Sequence, residues 1–166
     1  VSAEKVTQLS QTKRMFGELS FGPQDVKLYG QYTYGIAGER FFREIKDNGR
    51  IMGTRCQKCQ LVYLPPRIYC ERCFAELKEW VEVEGKGRVH SYTAVHVDLD
   101  GNRLNEPILM AIVEFPGIYG GFVHKLGEIE PRDVRIGLKV EVVLKREEER
   151  EGSILDIEYF KPGMFD

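Results

Sequence analysis

The sequence predicts a mainly β protein: an N-terminal arm and short helix, a four-cysteine metal module, then a small barrel of five to six strands. Three observations carry this. All four cysteines fall between Cys56 and Cys73. Short runs of alternating apolar residues, separated by glycine-, proline- or charge-rich turns, recur from Trp80 to the C-terminus, the pattern of a small antiparallel barrel. Ahead of the cysteines, Glu39 to Lys46 has apolar residues at helical spacing. The boundaries expected are an arm at 1–37, the helix plus metal module at 38–79, and the barrel at 80–166.

The arm is polar and weakly patterned, yet it holds Phe16, Leu19, Phe21, Val26, Leu28, Tyr29, Tyr32 and Tyr34. Exposed apolar surface is unfavourable at about 25 cal/mol per Å², so the arm is expected to pack on its own domain or on a partner. In the helix, Phe41, Phe42 and Ile45 share a face, and Asn48-Gly49 ends it because glycine accepts the left-handed closing turn. So short a helix must dock its Phe face to be stable. In the module, Pro65-Pro66 can continue neither a helix nor a central strand.

The strands expected next are Trp80–Val83, then Arg88–Val97 with Val89, Val95 and Val97 on one face. A polar loop follows from Asp98 to Pro107. Ile108–Phe115 and Ile118–Lys125 come next, joined by Pro116-Gly117. Lys139–Arg146 places Val140, Val142 and Leu144 on one face, and Ile154–Phe160 is last, after the charged turn Glu147–Gly152.

The cysteines form two C-x-x-C pairs, Cys56/Cys59 and Cys70/Cys73. Each pair turns two thiolates to one side of a tight knuckle. Two facing knuckles complete a tetrahedron of sulfur, which suits Zn²⁺. Four sulfurs leave no position for water or substrate, so the metal would be structural and its binding would help the module fold. Iron fits the same tetrahedron, and spacing does not separate the two metals. Two disulfides, or a redox pair outside a βαβ setting, are the competing readings.

With its cysteines committed to metal, the chain offers no thiol nucleophile. It has no G-x-S-x-G, P-loop or G-x-G-x-x-G, and Ser10-Gln11-Thr12-Lys13 matches S-x-x-K without its companion motifs. His90 and His96 lie on one expected strand and share a face, and His124 closes another. The spacing of His90 and His96 suits an acid/base pair or partner contacts, with ordinary strand residues as the competing reading, and His124 has no carboxylate partner nearby in sequence. No catalytic residue is therefore assigned, and the chain reads as a binding or scaffold subunit, inactive alone.

Composition narrows the partners. Over 166 residues, 24 Lys/Arg against 26 Asp/Glu give a net charge of −2, which argues against a broadly basic nucleic-acid binder. Arg40 to Arg72 nevertheless carries a net +5, leaving −7 for the rest. Such a local basic surface suits a small polyanion. No apolar run approaches the ~20 residues of a membrane span, and Val-Ser-Ala-Glu-Lys-Val has no apolar core. No signal peptide and a cytoplasmic location are expected.

The order of motifs resembles a known family. The segments are Ala37-Gly38-Glu39-Arg40-Phe41-Phe42, Gly53-Thr54-Arg55-Cys56-Gln57-Lys58-Cys59, Leu64-Pro65-Pro66-Arg67, Cys70-Glu71-Arg72-Cys73, Trp80 to Thr93, and Ile136-Gly137-Leu138-Lys139-Val140. Together they are similar to acyl-CoA-associated proteins that join a rubredoxin-like zinc ribbon to an OB-fold. The resemblance spans roughly Tyr34 to Pro162. It implies that the helix packs at the ribbon, that Cys56, Cys59, Cys70 and Cys73 bind zinc, and that the barrel is an OB-fold. It further implies a hetero-oligomer with a thiolase-like catalytic subunit, which supplies the reacting cysteine and histidines for an acyl-CoA. The long arm departs from shorter members of that family. CoA carries a 3′-phosphate and a pyrophosphate, for which Arg55, Lys58 and Arg67 are the candidate ligands, with Tyr63, Tyr69 and Tyr92 as candidate stacking partners for adenine. The alternative is a single-stranded nucleic-acid binder using the same basic groups and aromatics.

Overall fold

The structure, a computed structural model, describes residues 33–98 and 100–165. Most of the arm therefore lies outside the described residues, with seven of its eight large apolar groups. Tyr34 is described, and its ring meets Phe42 edge-on at 5.2 Å. Helix α1 spans Gly35–Asn48, beginning earlier than Glu39 and inside the stretch expected as arm. Gly49 closes it at φ 62°, returning its N–H to the helix carbonyls.

Eight strands follow: β1 (Ile51–Arg55), β2 (Val62–Leu64), β3 (Glu79–Val83), β4 (Lys86–Val97), β5 (Arg103–Glu114), β6 (Ile118–Lys125), β7 (Lys139–Leu144) and β8 (Ile157–Pro162). They form one sheet in the order β3-β1-β2-β6-β5-β4-β7-β8. Strands β1 and β2 flank the first cysteine pair, β3 pairs antiparallel with β1, and β4 to β8 form the barrel ladder. The barrel ladder is not closed: an isolated parallel bridge, Leu126 to Phe160, spans its two edges, reinforced by the Gly127 N–H donating to the Phe160 carbonyl at 2.9 Å.

Ribbon and barrel are joined by the pairing of β2 with β6, which is parallel, whereas the other ladders are antiparallel. This junction depends on Gly120. At φ +104° a Cβ there would sit 2.1 Å from the Leu64 carbonyl oxygen, closer than atoms can approach.

The main core draws on both halves. Phe41 and Ile45 of α1, with Ile51, Leu64 and Val83 of β1 to β3, pack with Val89, Val113, Phe122, Val140 and Phe160 of the barrel. The helix thus docks on the barrel core, with Phe41 5.9 Å from Phe122, and does not pack at the ribbon alone. It still touches β3, where the Arg40 guanidinium lies over Trp80 at 4.4 Å.

Two expectations for β4 and β5 fail for one reason, their long mutual pairing. The loop expected from Asp98 to Pro107 is a tight turn, and β5 already begins at Arg103. Asp98 Oδ1 accepts the N–H groups of Asp100 and Asn102 at 3.0 and 2.8 Å, which folds the chain back sharply enough for Val97 to face Arg103. Register shifts between Val89 and Ser91, and between Val95 and Val97, interrupt the alternation. Val89 faces the core opposite Val113, but Val95 lies opposite exposed Ile108, so the three valines do not share a face. The same shifts remove the basis for pairing His90 with His96. His90 instead meets Glu114 at 3.1 Å on the surface. Strand β8 starts at Ile157, after a single 3₁₀ turn at Ile154–Asp156.

Candidate metal centre

The two knuckles fold identically. In the first, the Cys56 N–H donates to the Leu61 carbonyl and the Gln60 N–H to the Cys56 carbonyl, at 2.8 and 2.7 Å. In the second, the Cys70 N–H donates to Ala75 and the Phe74 N–H to Cys70, both at 2.9 Å. Gln60 and Phe74 are left-handed, at φ 58° and 57°. That conformation is uncommon for a bulky residue and is retained here by the turn. The turn also lets the Cys59 N–H reach Cys56 Sγ at 3.4 Å.

The four sulfurs lie within 4.8 Å of one another. Cys56 and Cys73 Sγ are 3.5 Å apart, and Cys59 and Cys70 Sγ 4.0 Å. A tetrahedral ion with bonds of 2.3 Å needs sulfurs about 3.8 Å apart, so the set fits Zn²⁺. Cys56 and Cys70 are fully buried, and the spacing precludes any S–S bond in this arrangement.

Electrostatics favour thiolate at Cys70 and oppose it at Cys59. The fully buried Tyr63 hydroxyl hydrogen-bonds Cys70 Sγ at 3.1 Å. This contact, with backbone N–H groups of the second knuckle, draws the Cys70 thiol down to about 6, whereas hydrogen bonding with Cys73 and burial push Cys59 up to about 12. The metal-free cluster therefore retains protons that a cation would displace. Tyr63 was a candidate stacking group, but burial and this bond commit it to the sulfur. Its position between the knuckles does not reveal that in sequence. Tyr69 and Tyr92 are exposed.

Thr54 and Glu71 secure the ribbon. The Thr54 hydroxyl accepts the Arg67 N–H at 3.0 Å and donates to the Arg67 carbonyl at 3.1 Å, tying the segment before the second knuckle to β1. Tyr119 of β6 donates to Glu71, and this bond, then Arg67, holds the Glu71 carboxyl below its usual range.

The basic candidates differ in their surroundings. Arg55 pairs with Glu79 at 3.4 Å. Arg67 pairs with Glu71 and lies over the Tyr63 ring at 5.3 Å. Lys58 is exposed and makes no ion pair among the described residues. A cavity of about 480 Å³ beside the metal centre is lined by Leu61, Tyr63, Glu71, Arg72 and Tyr119. It includes none of the three candidates, and Tyr119 had no motif to mark it. Among the described residues no helix is long and apolar enough to cross a membrane.

A four-cysteine knuckle pair continuous with a five-stranded barrel defines the class of zinc-ribbon/OB-fold proteins. Family models agree: residues 43–79 match the rubredoxin-like zinc ribbon domain of ChsH2, and residues 80–145 match the C-terminal OB-fold domain of ChsH2. A DUF35 domain-containing scaffold protein of Methanocaldococcus jannaschii is 34% identical over 126 residues, covering 74% of this chain and 89% of the relative. One from Methanothermobacter thermautotrophicus is also 34% identical, covering 74% and 94%. The chain belongs to this DUF35 scaffold family with ChsH2-type domains. More distantly, the benzoylsuccinyl-CoA thiolase subunit BbsA of Geobacter metallireducens is 29% identical over 87 residues, covering 51% of this chain and 58% of that one. A crystal structure of a DUF35-family protein of unknown function from Sulfolobus solfataricus superposes with a TM-score of 0.62 at 27% identity, covering 98% of both chains. An Ltp2-ChsH2(DUF35) aldolase structure shares the fold at TM-score 0.60 and 24% identity, covering 80% of this chain and 98% of that one.

Proposed function

We propose that this chain is a zinc-bearing, non-catalytic subunit of a thiolase-type complex, steadying or bridging the catalytic subunit and helping to hold the CoA moiety of an acyl-CoA. The observation that carries this is the similarity to BbsA, a subunit of a CoA thiolase. Membership of a scaffold family supports it. The partner's candidate reaction is CoA-dependent thiolysis of a 3-oxoacyl-CoA, aromatic acyl groups included.

In this reading Cys56, Cys59, Cys70 and Cys73 hold one Zn²⁺, which supplies structure and no chemistry because four sulfurs fill its coordination. Lys58 meets a CoA phosphate as a point charge. Arg55 and Arg67 do so by exchanging the carboxylates of Glu79 and Glu71 for phosphate oxygens, to which guanidinium binds bidentately. The exchange stays local, since each arginine is already at the ribbon surface.

The test is co-expression with a thiolase-like polypeptide. Sizing chromatography should show a stable hetero-oligomer, with thiolysis only when both chains are present. Lys58→Gln in the assembled complex should raise KM for acyl-CoA and leave kcat nearly unchanged. A chain that stays apart from such partners, or that cleaves acyl-CoA alone, overturns the proposal.

A further inference from the structure

A cavity on the barrel, about 460 Å³ in volume, shares no lining residue with the one beside the metal centre. Its size lies within the ~300–1,000 Å³ of small-molecule sites. Its apolar wall comes from three elements: Ile108 and Met110 of β5, Val123 of β6, and Leu155 of the 3₁₀ turn before β8. Ile108, Val123 and Leu155 are 46%, 67% and 66% exposed. Water-facing positions on a small barrel are ordinarily polar, so three large apolar groups converging on one hollow mark a binding surface.

The polar groups in the wall set the ligand's chemistry. Lys145 is only half-exposed, yet its ammonium makes no ion pair or hydrogen bond among the described residues, and its charge reaches the buried Asp156 only at longer range. Lys125 also lines the cavity without an ion-pair partner among the described residues. Glu158 is the one acidic side chain in the wall, so the site is net positive. His124 completes it. The side chain is more than nine-tenths buried, and its Nδ1 has no hydrogen-bond partner among the described residues. Burial holds this imidazole below its usual pKa, despite hydrogen bonding with the backbone at Ile154 and Lys125.

We propose that this cavity binds a small apolar monocarboxylate, its hydrocarbon body against Ile108, Met110, Val123 and Leu155 and its carboxylate on Lys145 and Lys125. A neutral ligand would leave a half-buried ammonium uncompensated, and a cationic one would be repelled by two lysines against a single glutamate.

The experiment is an NMR titration of the full zinc-loaded chain with three probes sharing one tail: octanoate, octan-1-ol and octyltrimethylammonium. Octanoate should shift the amides of Val123 and Leu155 and the ring signals of His124, binding about tenfold or more tightly than octan-1-ol, a difference of about 1.4 kcal/mol. Lys145→Gln should erase that preference. Leu155→Asp, a change on an exposed turn that leaves the core intact, should abolish octanoate binding, and Arg132→Gln, an exposed site outside the cavity, should leave octanoate binding unchanged. Octan-1-ol binding as tightly as octanoate, an unaltered preference in Lys145→Gln, or no shift at these residues at millimolar octanoate would each overturn the proposal.

Discussion

The ribbon and the barrel reach a folded state by different physics. The ribbon's own core has four buried residues, Cys56, Tyr63, Cys70 and Leu77, and two of these are cysteines. The main core has sixteen, all aliphatic or aromatic. Four side chains do not offset the ordering entropy of about 30 residues with two tight knuckles, at roughly 1–2 kcal/mol per residue for the backbone alone. Sulfur–metal bonds are needed in the ribbon, whereas burial suffices in the barrel. The two cores are nonetheless joined, because Ile51 and Leu64 of the ribbon strands lie in the main core. Damage at the metal should therefore weaken the barrel without unfolding it.

The largest effect expected is from Cys70→Ser, which opens the sulfur tetrahedron. Apparent zinc-binding energies of ~10–16 kcal/mol in structural sites would be largely lost. Elemental analysis should fall from one zinc per chain to under half. Amide exchange should rise across β1 and β2 first, with β5 and β7 still protected. Uniform loss of protection would refute the division into two regimes.

Next comes the opposite lesion. Phe160 is fully buried and forms the bridge with Leu126 across the barrel edges. Phe160→Ala should cost about 3–5 kcal/mol and lower the urea midpoint, while zinc content stays at one. If zinc were lost in parallel, the ribbon would depend on the barrel more than the separate cores imply.

Asp156 gives the barrel a pH-sensitive support. It is fully buried, and burial alone would raise its pKa. The N–H groups of Glu151, Gly152 and Ser153, at 3.0, 2.7 and 3.1 Å, outweigh that and hold the carboxyl below its usual range. A depressed folded-state pKa stabilises above the unfolded value of about 3.9 and is lost as pH falls through the folded value. Asp156→Asn should therefore cost about 1–3 kcal/mol near pH 6. The difference from wild type should shrink as acid protonates Asp156 itself. A constant difference between pH 6 and pH 3 would contradict this.

The smallest effect sharpens the metal side. Tyr63→Phe keeps the ring and removes the hydroxyl at Cys70. Zinc affinity measured by chelator competition should fall about 10-fold, with the thermal midpoint of the zinc-loaded chain nearly unchanged. Equal affinity would mean the hydroxyl does not tune the thiolate.

Local pattern explains how much was legible beforehand. The cysteine knuckles, the Phe41/Ile45 face of α1 and the alternation of Val140, Val142 and Leu144 are written in spacing, which a short peptide carries by itself. The helix start at Gly35 is not legible locally, because Gly35-Ile36-Ala37-Gly38 has weak helical propensity, and docking of the downstream face carries it. The polar residues of Arg103 to Pro107 carry no strand signal of their own, and cross-strand pairing with β4 makes them strand.

Local sequence is enough for the mainly β class, the helix ahead of the cysteines, the paired cysteines and the order of helix, ribbon and barrel. Each rests on residue spacing or composition over a few turns or one strand. Only the tertiary structure decided that β2 pairs in parallel with β6 across Gly120, that shifts in β4 send Val95 to the opposite face from Val89, and that Phe41 completes the barrel core. It likewise placed the Tyr63 hydroxyl on Cys70, and Arg55 and Arg67 against Glu79 and Glu71, leaving Lys58 without such a partner among the described residues. These contacts join residues distant in sequence, or depend on which of several nearby partners a folded surface brings within reach. Their energies exist only once the chain has closed those loops.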